Sequence, residues 1–176
     1  MEIIGVVGLP GSGKTEISNY AHEKDIPVIS MGDVIRRECL ERGLEPADHH
    51  GEIAKKLREE LGRDAIAKLT IPLVQGAIEK GNGVVIDGIR SGDEVKAFRK
   101  EFGKKFKLLK IESPFELRLK RIGERGRDNP EVETLGQRDD RELGFGLGDA
   151  MESAEMGIEN IGTIEELYLE ISKLIG

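Results

Sequence analysis

Runs of consecutive apolar residues, separated by segments with helical spacing, give the first picture of the chain. Ile3-Ile4-Gly5-Val6-Val7 shows no polar alternation, the pattern of a strand covered on both faces. Similar runs lie at Pro27 to Ser30, Val84 to Asp87 and Leu108 to Ile111. A weaker one lies at Glu155 to Ile158, where only Met156 and Ile158 alternate. Between these runs apolar residues recur every three or four positions: Ile66, Leu69, Leu73 and Ala77, then Phe115, Leu119 and Ile122, then Ile164, Leu167, Tyr168, Ile171, Leu174 and Ile175. Each stripe is expected to be a core face. Strands alternating with helices predict an α/β fold, a five-stranded parallel sheet with right-handed crossovers and helices on both faces.

Composition narrows the picture. The 176 residues make room for about one domain, and no repeat or Pro/Ser-rich linker divides residues 1–176. A formal charge of -7 disfavours general binding to nucleic acid, which requires a basic field. No stretch approaches the ~20 apolar residues of a membrane span, and no charged-then-apolar leader opens the chain. A soluble, cytoplasmic protein without membrane partners is expected. Cys39 is the only cysteine, and the histidines are His22, His49 and His50, so neither a disulfide framework nor a Cys/His zinc cluster is available. His49 and His50 are adjacent, diverge on a helix and read as solvated surface residues.

The strongest chemical signal follows the first strand. Gly8-Leu9-Pro10-Gly11-Ser12-Gly13-Lys14-Thr15 satisfies G-x-x-x-x-G-K-[ST] at every fixed position and leads into a helical segment. Gly11 and Gly13 let the main chain turn its amides inward, and the helix adds its own unpaired N–H groups, together forming an anion cradle. Lys14 supplies a point charge to the β- and γ-phosphates of a nucleoside triphosphate. The Thr15 hydroxyl is placed for Mg2+. A dinucleotide fingerprint does not fit, because its third glycine position is Glu16.

Three further segments suggest a reaction. Val84-Val85-Ile86-Asp87 ends an apolar strand in a carboxylate, either a partner for Mg2+ or a helix cap. Gly88-Ile89-Arg90 follows with a guanidinium, and Ser30-Met31-Gly32-Asp33-Val34-Ile35-Arg36 begins a helix after the second strand. From Gly123 to Gly148 glycines interrupt a charged segment, and six of the thirteen arginines lie between residues 118 and 141. On composition alone that segment reads as a solvated helix pair laced with ion pairs.

Taken together, residues 8–15, Ser30 to Arg36, Asp87 to Arg90 and the late arginines resemble the nucleoside monophosphate kinases, adenylate kinase above all. The similarity extends over the whole chain to an archaeal family of adenylate-kinase-related P-loop proteins. Dephospho-coenzyme A kinases are also similar. The resemblance implies the three-layer P-loop NTPase fold, with ATP as donor and small-molecule nucleotides as partners. It places acceptor-side helices within residues 31–80 and a mobile lid at 118–148.

By the same resemblance Gly8, Leu9, Pro10, Gly11, Ser12, Gly13, Lys14 and Thr15 hold the donor, with Asn160 and Gly162 at its base. Thr15 and Asp87 serve the metal. Arg36 and Arg90 hold the acceptor phosphate beside Ser30 and Gly32, Arg121 and Arg125 open the lid, and Arg138 and Arg141 form its returning edge and also bind the acceptor. Asp33 stands where a general base would serve a hydroxyl acceptor. Lys14, Arg90, Arg121, Arg125 and Asp33 are thus the catalytic candidates. The segment Asp87-Gly88-Ile89-Arg90 is one residue shorter than its adenylate kinase counterpart, and Ser91-Gly92-Asp93-Glu94 offers no adenine-reading glutamine. The expected activity is phosphoryl transfer from ATP to a small phosphorylated acceptor, a nucleoside monophosphate. The alternatives are a dephospho-coenzyme A kinase-like activity and a nucleotide-dependent switch acting on a protein or RNA.

Overall fold

Residues Ile3–Val7 form the central strand of the sheet, which is why no position in the run is polar. The computed structural model describes residues 2–80, 83–125 and 134–175, with the side chain of Arg125 outside that description. In chain order the elements are β1 (Ile3–Val7), α1 (Lys14–Glu23), β2 (Val28–Ser30), α2 (Met31–Glu41), α3 (Pro46–Leu61), α4 (Ala65–Glu79), β3 (Val84–Asp87), α5 (Gly92–Phe102), β4 (Phe106–Glu112), α6 (Phe115–Arg125), α7 (Leu135–Gly144), α8 (Leu147–Glu152), β5 (Met156–Glu159) and α9 (Ile164–Leu174). A 3-10 turn at Gly103–Lys105 joins α5 to β4.

The strands lie in the order β2-β3-β1-β4-β5, and every neighbouring pair is parallel. Ile3 stands opposite Val84 and Phe106, and Ser30 opposite Asp87. The carboxyl ends of β1, β2 and β3 therefore share one edge, where ligands bind in open parallel sheets.

Alternation along β1 separates two cores. Ile3 and Val7 join Val84, Ile86, Leu108 and Phe106 beneath α2, α3, α4, α5 and α8. Ile4 and Val6 join Val85, Leu109, Ile111 and Ile158 beneath α1 and α9. Position 5 faces the first of these cores and is glycine because a Cβ there would come within 2.6 Å of Ile89 Cδ1 and 2.8 Å of Phe106 Cζ. Thr163 caps α9 through a reciprocal pair with Glu166, which fixes that helix's start. Among the described residues no helix is long and apolar enough to cross a membrane.

Some expectations shift. The fifth strand begins at Met156, because Glu155 turns aside to accept hydrogen bonds from Leu108 N–H and Arg99. The stripe on α6 is not a core face: Phe115 and Leu119 are 42% and 47% exposed, while Arg118 is 4% exposed. A polar anchor seats this helix, with only Ile122 of the stripe packed inward, near Gly11. Leu73 on α4 and Ile164 on α9 are also exposed, and Val74 takes the inward place beside Ile66.

Phe98 is fully buried and stacks against Phe102 and Phe106, with ring centroids 6.5 and 5.5 Å away. Phe98→Ala should lower unfolding free energy by about 3–5 kcal/mol in a urea titration. A loss below about 1 kcal/mol would show that α5 does not anchor this core.

Candidate active site

The loop leaving β1 carries the chemistry. Gly11 and Gly13 have φ of 77° and 114°, the left-handed region that L side chains rarely adopt. These two residues turn the main chain so that its amides lead into α1, whose N-cap is Gly13. A Cβ on Gly13 would also approach Asn160 Nδ2 to 2.5 Å. That amide nitrogen donates to Ser12 O at 2.8 Å, and Asn160 N donates to Glu112 O at 2.7 Å. Asn160, expected at the donor base, thus braces the loop from just beyond β5. Gly162 follows in the turn that caps α9, where a Cβ would collide with the Glu166 carboxylate.

Lys14 Nζ donates to Gly8 O at 2.6 Å and Leu9 O at 3.0 Å. Burial pushes its ammonium down to about 8 from the ordinary 10.5. Asp87 and Glu142 oppose that shift, whereas Arg90 and Arg118 add to it. Ser12 Oγ is buried without a hydrogen-bond partner. An unsatisfied hydroxyl and a desolvated ammonium in one glycine-shaped cradle fit a polyanion's oxygens. Thr15 is exposed on the first turn of α1 and Asp87 is half-buried at the end of β3. Two hard oxygens suit Mg2+, which binds through one or two protein ligands together with phosphates and water.

Opposite the loop lies a cleft of about 630 Å³ between α2, α3 and the segment after β3. Ser30, Gly32, Arg36, Asp87 and Arg90, all anticipated, line it. So do His50, Arg58, Glu94 and Phe145, which were not. His50 is half-buried, with Nε2 3.4 Å from Gly32 O, so the expectation of a solvated residue fails. Tertiary packing of α3 against α2 turns the ring inward. Burial holds its imidazole below the ordinary value, against the contact with Gly32 O, and Arg36, Arg90 and Arg58 add to the depression.

Glu94 is 1% exposed; Oε2 accepts from Arg90 N at 2.8 Å and Oε1 lies 3.5 Å from Arg58 Nη2. Desolvation raises its carboxyl above the usual range, opposed by the Arg90 N–H and by Arg58. Ser91 caps α5 by accepting from Glu94 N. The pattern Ser91-x-x-Glu94 carries a capping-box signature, so this residue was legible in principle. The Arg58 guanidinium lies 5.9 Å from the Phe145 ring centroid, which ties α3 to the turn after α7. Asp33 is exposed and ion-paired with Arg36, and it does not line the cleft.

The arginine cluster is more ordered than a solvated surface. Arg118 Nε donates to Ser113 O, Nη1 to Pro10 O and Asp139 Oδ1, and Nη2 to Asp139 Oδ2 at 2.7 Å. This fork joins the phosphate loop, α6 and α7. Arg121 donates to Ser113 Oγ and to both oxygens of Asn160, supporting the loop from the side. Arg138 and Arg141 lie on α7, where Arg141 Nη2 is 3.5 Å from Glu142 Oε1. Arg125 lies at the end of α6; its side chain and residues 126–133, part of the expected lid, are outside the described residues. No sequence signal pairs Arg118 with Asp139, since 21 positions separate them.

A phosphate loop opening a helix from the centre of a 2-3-1-4-5 parallel sheet, facing an arginine-lined cleft, defines a P-loop kinase-like fold. The AAA domain family model matches residues 7–136. The chain is 45% identical over 176 residues to the UPF0200 protein of Halobacterium salinarum, covering 99% of this chain and 93% of the relative. It belongs to that UPF0200 family. Among solved structures it is similar to dephospho-CoA kinase from Campylobacter jejuni, with TM-score 0.62 and 19% identity over 99% of this chain and 96% of that one. A gluconokinase from Sinorhizobium meliloti has TM-score 0.60 and 14% identity, over 98% and 93%. Both likenesses show the fold.

The lowered Lys14 value has a measurable consequence. In the ligand-free protein Lys14 is partly neutral near pH 8.5, and a bound triphosphate favours its charged form, so binding should take up protons. Calorimetry in two buffers of different ionisation enthalpy should detect this uptake at pH 8.5, much less at pH 7, and neither in Lys14→Ala. Proton release at pH 8.5 would contradict the assignment.

Proposed function

We propose that this protein transfers the γ-phosphoryl group of ATP to a small phosphorylated acceptor, a nucleoside monophosphate. The observation that carries the reading is the cleft opposite the loop. It is lined by Arg36 and Arg90 together with Met31, Ile35, Ile66 and Phe145. Paired guanidiniums recognise a phosphate, and an apolar wall with an aromatic ring accommodates a planar base.

In this reading the loop amides, Ser12 and Lys14 hold the donor phosphates. Thr15 and Asp87 hold Mg2+, which supplies charge neutralisation at the phosphate oxygens. Arg36 and Arg90 orient the acceptor, with Glu94 fixing the backbone of Arg90. The transferring group carries charge on its equatorial oxygens, which Arg138 and Arg141 of α7 neutralise together with the acceptor phosphate, while Arg121 steadies the loop through Ser113 and Asn160. A phosphate acceptor is already an anion and needs no general base. Asp33 is exposed, paired with Arg36 and outside the residues that line the cleft, which favours a phosphate acceptor over the hydroxyl acceptor of the dephospho-coenzyme A kinase alternative. The resemblance to kinases of small molecules in fold supports the reaction class.

The test is transfer of label from γ-labelled ATP to a panel of nucleoside monophosphates, dephospho-coenzyme A and RNA ends. Label should appear on a nucleoside diphosphate. Transfer to none, with hydrolysis stimulated by a protein or RNA, would establish the switch instead. Lys14→Ala should reduce turnover by about 100-fold or more. Arg90→Ala should lower kcat/KM for the acceptor by about 100-fold and leave ATP affinity within about threefold. Equal loss for donor and acceptor would contradict the role given to Arg90.

A further inference from the structure

Glu142 is a buried carboxylate that the reaction above does not use. It lies in the last turn of α7, where the helix dipole disfavours an anion. It closes no cap: Thr134 and Gln137 cap the start of α7, and the turn after it is made by main-chain bonds from Phe145 N. The Arg118–Asp139 fork holds this helix against the phosphate loop, and Glu142 follows Asp139 by one helical turn. Its Oε1 lies 3.5 Å from Arg90 Nη1 and 3.5 Å from Arg141 Nη2. A single carboxylate oxygen therefore sits between two half-exposed guanidiniums, one of which, that of Arg90, lines the cleft. The field of Glu142 reaches Lys14, which places it on the transfer side.

We infer that Glu142 is a specificity-determining residue: its carboxylate holds Arg90 and Arg141 until a dianionic phosphate monoester takes them over. The inference rests on the reading that Arg90 receives the acceptor phosphate. Burying a carboxylate beside two guanidiniums keeps them paired without a ligand and sets a charge threshold for the occupant. A dianion displaces the carboxylate because it offers each guanidinium more charge and more acceptor oxygens. A neutral alcohol or a monoanionic acid does not.

Calorimetric titration with inorganic phosphate and with acetate, on folded protein without ATP, tests this. Glu142→Gln should bind phosphate about tenfold tighter than the wild type, the equivalent of about 1.4 kcal/mol. It should also discriminate less against acetate. Glu142→Asp, which withdraws the carboxylate by one methylene, should fall between, and it decides the matter if the glutamine variant does not fold. A merely structural role predicts weaker binding in both variants. Unchanged or weaker phosphate binding overturns the inference. Label transfer in the wild type with phosphate affinity unmoved in Glu142→Gln sinks this inference alone. Tighter phosphate binding with no acceptor labelled sinks the kinase reading alone.

Discussion

A main chain that must aim several N–H groups at one point cannot also satisfy them internally, and the structure is built around that constraint. The turn after β1 needs left-handed backbone at Gly11 and Gly13, and its internal bonds, from Lys14 Nζ to Gly8 O and Leu9 O and from Ser12 N to Leu9 O, are few. Support comes from outside. Asn160 donates to Ser12 O from just beyond β5, Arg118 donates to Pro10 O from α6, and Ile122 packs close to Gly11. Arg121 in turn orients Asn160. Preorganisation of this kind lets a site bind charge without reorganising when the ligand arrives.

An acidic protein of net charge -7 keeps guanidiniums at one edge by pairing them with carboxylates. Arg36 is matched by Asp33, Arg58 by Glu94, Arg90 and Arg141 by Glu142, and Arg118 by Asp139. These pairs differ in kind. Arg118 and Asp139 are buried and bidentate, so their pairing is architectural, and breaking it would strand a charge. Arg36 and Arg90 are half-exposed and singly held, so their partners can be exchanged at modest cost. Burial separates the guanidiniums that build the site from those available to a substrate.

The strands, the helix after the loop and the loop itself were legible in the sequence because each rests on local chemistry. Consecutive apolar residues in β1 and β3 follow from burial on both faces, and the glycine spacing follows from main-chain geometry. The stripe on α6 misled because helical spacing records periodicity without saying which neighbour covers the face. Arg118, one turn after exposed Phe115 and next to exposed Leu119, seats the helix through polar bonds to segments far away in sequence. His50 misled for the same reason: adjacency to His49 says nothing of which ring α2 will cover.

By itself the sequence determined the sheet's hydrophobic skeleton and the anion cradle, since strand burial, glycine conformation and helix N-termini are properties of short stretches. Only the tertiary structure decided the cleft. Its members come from β2, α2, α3, α4, the end of β3 and the segment after it, α5 and the turn after α7, and parallel register brings Ser30 opposite Asp87. Pairings such as Arg58 with Glu94 or Arg90 with Glu142 depend on distances between elements, which no spacing along one chain encodes.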